Sequence, residues 1–281
     1  MASSTPGWPG GGEGRRVRSL SGPGSSDAAI RLTGIVNAFG PHVVHDGLEL
    51  TVRRGEILGL VGGSGSGKSV LLRTIVGLLR PRAGRVEVLG ADLFALRPAA
   101  RRALQARWGV LFQDGALFSS LTVRENVQVP LVERLGLKGP LLDELAAVKL
   151  GLVGLGADAA DKLPAELSGG MRKRAGLARA LAMDPEIVLL DEPTAGLDPI
   201  AAAAFDELIL SLHAALGLTV VMITHDVDSL VRITDRVAVL LNKRCIVATL
   251  EELRAYDDPW LRAYFGGPRG RAAIAAGDKE D

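Results

Sequence analysis

A single cysteine, Cys245, stands among 281 residues. It has no partner for an internal disulfide, so the fold must do without covalent staples, and a reducing compartment suits it best. Charge of one sign is missing too: 33 Lys and Arg against 32 Asp and Glu leave a net +1. A nucleic-acid binder neutralises phosphates with a basic stripe, and none runs through this chain, so no nucleic-acid partner is expected. No run of about 18 uninterrupted apolar residues occurs, which argues against the chain spanning a bilayer by itself. Internal repeats are absent as well, so one nucleotide-binding domain is expected and not a fused pair. The first 26 residues lack the apolar segment of a secretory leader, and 16 of them are Gly, Pro or Ser. Residues 1–27 therefore read as a flexible tail. Its Arg15-Arg16-Val17-Arg18 cluster is either solvated or a contact for acidic lipid.

What is present is a core: 47% of the residues are hydrophobic, enough for one large domain or a domain with an added lobe. Order is expected from Ala28, with strand-like alternation at Ile30 and Leu32 and again at Leu48, Leu50 and Val52. Ile57-Leu58-Gly59-Leu60-Val61 is wholly apolar, as a strand covered on both faces would be. Gly62-Gly63-Ser64-Gly65-Ser66-Gly67-Lys68-Ser69 follows at once, and helical spacing then runs from Ser69 to Leu79. Strand, glycine loop and helix in this order form a phosphate-binding loop. The backbone N–H groups of Gly63 to Ser69, with Val70 in the first helical turn, make the anion cradle. Lys68 is placed to reach the β- and γ-phosphates of a nucleotide, and the Ser69 hydroxyl to ligate Mg²⁺. A β segment is expected at 85–89 and a mainly helical stretch over 98–181. Ile187–Leu190 and Leu218–Ile223 read as buried strands with a helix over 200–216 between them, and 237–247 as a last β stretch.

Two carboxylates, Asp191 and Glu192, end the Ile187–Leu190 run, at the sheet edge where α/β proteins bind ligands. Asp191 suits a Mg²⁺ ligand and Glu192 a general base for water. Ser168, in Leu167-Ser168-Gly169-Gly170-Met171-Arg172, reads locally as the N-cap of a helix over 169–183.

The glycine loop, the LSGG segment and the strand ending in Asp191-Glu192, in that order, resemble the ATP-binding-cassette (ABC) ATPases over about residues 28–250. The resemblance implies an α/β P-loop fold: a RecA-like core, an antiparallel β subdomain and an inserted α-helical subdomain over about 98–181, followed by a C-terminal extension over 251–281. It implies that ATP and Mg²⁺ are bound and that ATP is hydrolysed between two copies of the chain. Ser168, Gly169 and Gly170 would then contact the γ-phosphate held by the other copy, with Met171 completing that signature segment. Gln113 matches the glutamine that senses Mg²⁺ and the attacking water and faces a permease. His225 matches the switch histidine at the γ-phosphate, and Asp198 the loop that crosses the dimer seam. Phe39 stands where the family stacks an aromatic on adenine; a core phenylalanine is the other reading.

A narrower resemblance rests on Phe112-Gln113-Asp114-Gly115-Ala116-Leu117-Phe118, on LSGGMRKR over 167–174, on Asp198-Pro199-Ile200 and on the segment 258–266. These are similar to the ATPases that power MCE-type phospholipid transporters. That implies integral-membrane permease subunits, an MCE-domain lipid-binding protein and a peripheral place on the cytoplasmic face of the bacterial inner membrane. An ATPase for a small-solute transporter and a soluble ABC ATPase outside transport are the alternatives. Ala195 and Met171 depart from the family's commoner Ser and Gln, away from the phosphate ligands.

Overall fold

A computed structural model describes residues 27–266. The tail over 1–26, with its arginine cluster, and the stretch from 267 onward lie outside the described residues.

The chain opens with a hairpin of β1 (Ala28–Phe39) and β2 (His42–Arg53), turned at Gly40-Pro41 with Phe39 opposite His42. β3 (Ile57–Gly62) is buried at all six positions. The glycine loop leads from it into α1 (Lys68–Ile75), shorter than its periodicity suggested because Gly77 turns left-handed at φ 79°. β4 (Ala83–Val88) returns antiparallel to β1, and β5 (Ala91–Asp92) completes a four-stranded sheet in the order β2-β1-β4-β5.

Next come α2 (Pro98–Gln105) and β6 (Trp108–Leu111). The strand corrects the mainly helical reading of 98–181. Four residues between helical patterns are too short a run for periodicity to separate strand from helix. After β6 the stretch is helical: α3 (Val123–Leu135), α4 (Pro140–Leu152), α5 (Ala157–Ala160), a 3₁₀ turn at Pro164–Glu166 and α6 (Gly169–Ala180). Thr122 and Glu125 form a reciprocal capping box at the start of α3, two of its orphan donors thereby satisfied.

β7 (Ile187–Asp191), α7 (Pro199–Leu216) and β8 (Thr219–Ile223) form a β-α-β crossover. α7 is the one helix among the described residues long and apolar enough to cross a membrane. Here it links neighbouring parallel strands and buries Phe205, Ile209 and Leu212. α8 (Val227–Ile233) follows, then β9 (Arg236–Leu241) and β10 (Arg244–Ala248). The expected single β stretch over 237–247 is a hairpin, turned at Asn242 and Lys243, both with positive φ. Those angles match the right-handed twist of the flanking strands. α9 (Leu250–Arg254) and α10 (Pro259–Gly266) close the chain.

The second sheet runs β10-β9-β3-β8-β7-β6, parallel except for β10. Its strands alternate between two cores. Val188, Leu190, Val220 and Met222 join a core with α3, α4, α6 and α7, whereas Ile187, Leu189, Val221 and Ile223 join one with α1 and the antiparallel sheet. A strand covered on both faces has no polar side to show, which is why these runs are wholly apolar. The arrangement also brings the carboxyl ends of β3, β8 and β7 to one edge, with Leu60 beside Ile223 and Ile223 beside Asp191.

Candidate active site

The phosphate loop sits at that edge, between β3 and α1. Leu71 is the first residue whose N–H returns to the preceding turn, bonding Gly67 O at 2.8 Å. Those of Lys68, Ser69 and Val70 therefore point out of the helix N-terminus, where an anion is favoured. No side chain caps this terminus and no acid lies in its first turn. Gly67 adopts φ 96°, and a Cβ there would lie 2.5 Å from both His45 Nε2 and Val44 Cγ1. Only glycine lets the loop pass so close to β2. His45 itself is buried, with Nδ1 3.0 Å from Asn37 Nδ2, which also donates to Thr74 Oγ1 at 3.0 Å. Burial lowers its pKa to about 4, so the ring behind the loop is neutral.

Lys68 is buried and donates to Gly62 O at 2.8 Å and Gly63 O at 3.2 Å. Desolvation lowers its pKa, while Glu192 and Asp191 hold it up. Ser64, Gly65 and Ser69 are exposed, and Gly63 and Ser66 half-buried. Asp191 is half-buried, its pKa raised by burial and by Glu192 and lowered by Lys173, Arg73 and Lys68. Glu192 has φ 48°, the left-handed region that non-glycine residues seldom adopt. Its N–H donates to Ile223 O at 2.9 Å and its Oε1 lies 2.7 Å from His225 Nε2. His225 thus meets the carboxylate expected to activate water. Glu192 and His225 also line a cleft of about 600 Å³ with Thr194, Pro199 and Asp226.

Gln113 is exposed and lines a second cleft with Asp114, Gly169, Lys173 and Gly196. Ser168 caps α6, its Oγ accepting from Met171 N at 3.3 Å, and is itself exposed. Gly169 lies by Leu197, a Cβ there falling 3.7 Å from Leu197 Cδ2, while Gly170 has open space around it. Asp198 caps α7, accepting from Ile200 N at 3.0 Å and Ala201 N at 2.9 Å. Phe39 is 52% exposed at the end of β1, a ring face open to stacking and not a core side chain.

Two features escape the sequence reading. Lys173, on α6, is buried and donates to the backbone carbonyls of Gln113 and Glu192, the latter at 3.0 Å. In LSGGMRKR it reads as one more solvated cation, because periodicity does not reveal which basic residue is turned inward. Trp260 of α10 lies beside the phosphate loop, its Nε1 3.6 Å from where a Gly63 Cβ would be. It stacks on Tyr264, one turn further along α10, at 4.8 Å; its approach to Gly63 joins segments some 200 positions apart, which no local pattern encodes.

A family model described as ABC transporter matches residues 45–195, from β2 to the loop after Glu192. The chain belongs to the ABC transporter family. The probable ribonucleotide transport ATP-binding protein mkl of Mycobacterium tuberculosis strain H37Rv is 39% identical over 242 residues, 86% of this chain and 67% of that protein. The intermembrane phospholipid transport system ATP-binding protein MlaF of Escherichia coli K12 is 39% identical over 229 residues, 81% of this chain and 85% of MlaF. Among solved structures, the ATP-binding cassette MJ0796, in a dimeric post-hydrolysis state bound to ADP and Pi, aligns with TM-score 0.71 and 30% identity, covering 79% of this chain and 98% of that one. This ABC protein is an ATPase that uses ATP with Mg²⁺. An uncapped helix N-terminus with a buried ammonium fits phosphate, and Ser69, Gln113 and Asp191 carry the hard oxygens that would suit the cation.

Proposed function

We propose that this ABC protein drives phospholipid transport across a bacterial envelope, from the cytoplasmic face of the inner membrane, with permease subunits and an MCE-domain lipid-binding protein. The observation that carries the lipid reading is the match to MlaF across 85% of its length, together with the FQDGALF and LSGGMRKR segments. The equal identity to mkl favours small-solute transport as the second reading. Purification of the chain from gently solubilised membranes, with mass spectrometry of what accompanies it, separates them. A permease with an MCE-domain protein and phospholipid is the expected outcome; a permease with a solute-binding protein would transfer the assignment to a small solute.

In the proposed cycle, two copies close on two ATP molecules. Lys68 and the N–H groups at the start of α1 hold the phosphates, and Phe39 stacks on adenine. Ser69, Gln113 and Asp191 would hold Mg²⁺, which would supply charge neutralisation when bound. Ser168 and its glycines aim a second helix N-terminus at the γ-phosphate of the opposite copy. Glu192 takes the proton of the attacking water, and His225, bonded to its Oε1 at 2.7 Å, fixes the carboxylate and contacts the γ-phosphate. Asp198 lies at the seam. Glu192→Gln keeps the shape and the histidine contact but removes the base. Its kcat should fall about 100-fold or more with ATP still bound and closed dimer accumulating. Hydrolysis at the wild-type rate would take the base role from Glu192.

A further inference from the structure

We infer that Lys173 is a positioning residue that locks the loop carrying Gln113 to the backbone of Glu192, so that movement of that loop is felt at the base. The inference rests on the reading of Glu192 as the base. Its ammonium donates to the carbonyl of Gln113 and, at 3.0 Å, to that of Glu192. Those carbonyls belong to different loops, one following β6 and one following β7, neighbouring parallel strands. A lysine has three donors and can hold both at once.

The position is not one where a lysine rests by default. Lys173 is only 7% exposed, and an unpaired ammonium there would be expensive. Asp114, Glu192 and Asp191 surround it and oppose the lowering of its pKa by burial. Arg179, further along α6, fixes the same loop at a second point, donating to Ala116 O at 2.6 Å and Gly115 O at 3.0 Å. One helix therefore grips residues 113–116 twice and Glu192 once, while its own N-terminus carries Ser168. Glu192 needs such a grip. Its left-handed backbone persists only where surrounding contacts over-determine it. Lys173 supplies one of them from the side of the loop expected to face the permease. The phosphate loop is held separately, through Lys68 and α1, so ATP binding and catalytic geometry are separable.

The test is steady-state hydrolysis by the full chain with Mg·ATP, comparing wild type, Lys173→Met, Lys173→Arg and Glu192→Gln, with thermal melting of each. Lys173→Met keeps a long stem and loses the donors. Its kcat is expected to fall about 10-fold or more, with KM for ATP within about twofold of wild type. Lys173→Arg, which keeps a charged donor, should recover most of the loss. A filler role would leave kcat intact in the Met variant, and a general destabilisation would move KM and melting together with kcat. Either result overturns the inference. If the Met variant does not fold, Lys173→Gln, polar but uncharged and one bond shorter, is read by the same split. Loss of hydrolysis in Glu192→Gln alongside wild-type kcat in Lys173→Met defeats the inference and leaves the base assignment standing. Undiminished hydrolysis in Glu192→Gln defeats the base assignment and the inference with it.

Discussion

Asp206 is a carboxylate placed where carboxylates are uncomfortable. It is buried on α7, accepts from Ser229 Oγ at 2.7 Å, and leaves its Oδ1 without a partner among the described residues. Burial raises its pKa from 3.8 to about 6, with Asp226 adding to the rise and Ser229 opposing it. The folded chain therefore keeps a proton that the unfolded chain releases near pH 3.8. This group's contribution to stability is greatest below that window, falls as pH climbs to about 6, and stays lower above it, by up to about 3 kcal/mol. Asp206→Asn keeps an acceptor for Ser229 and has no charge to bury. Urea unfolding should show its advantage over wild type growing between about pH 4 and pH 7; a difference independent of pH would refute the account. Glu192 belongs to the same scale. A carboxylate after an apolar strand is visible in the sequence, whereas its φ of 48° and its bond to His225 are not.

α6 is the element on which most of the site depends, and its fit to the sheet is set by glycine. A Cβ on Gly109 of β6 would lie 2.0 Å from the backbone oxygen of Ala180, an atom with no rotamer to escape into. Gly109→Ala is expected to lower stability by about 2–3 kcal/mol in urea unfolding, as overpacking does. Gly151→Ala, in the last turn of α4 with nothing within 4 Å of the added atom, should instead leave stability unchanged or raise it by up to about 0.5 kcal/mol. Equal effects at the two sites would mean that close approach is not what Gly109 provides. Elements with a clear local pattern are legible in the sequence: β3, β7 and β8 as apolar runs, α7 as a helix over 200–216, and the cap at Ser168. β6 is not, because its four residues carry a glycine in the middle and sit between helices. The turn at Asn242-Lys243 was missed for a related reason: lysine is a poor signal for positive φ.

At the scale of the molecule, a single chain has its phosphate loop at one place and its exposed Ser168 at another, next to Leu197 and the Asp198 cap. Two copies arranged so that each Ser168 meets the other's phosphate loop would complete both sites. Ser168→Arg tests this directly. Loss of the cap costs about 1 kcal/mol, too little to unfold the chain. ATP binding by the isolated chain should be unchanged, while ATP-dependent dimer in the Glu192→Gln background disappears on size exclusion; persistence of that dimer would refute the arrangement. The sequence by itself determined the chemistry, because phosphate binding needs glycines, a lysine and a helix start in a fixed local order, and that order is readable without a fold. Only the tertiary structure decided what holds the chemistry in place. Lys173 behind Glu192, His45 behind Gly67 and Trp260 beside Gly63 are meetings between distant segments. They arise from strand order and burial on both faces of one sheet, and no stretch of the chain records them alone.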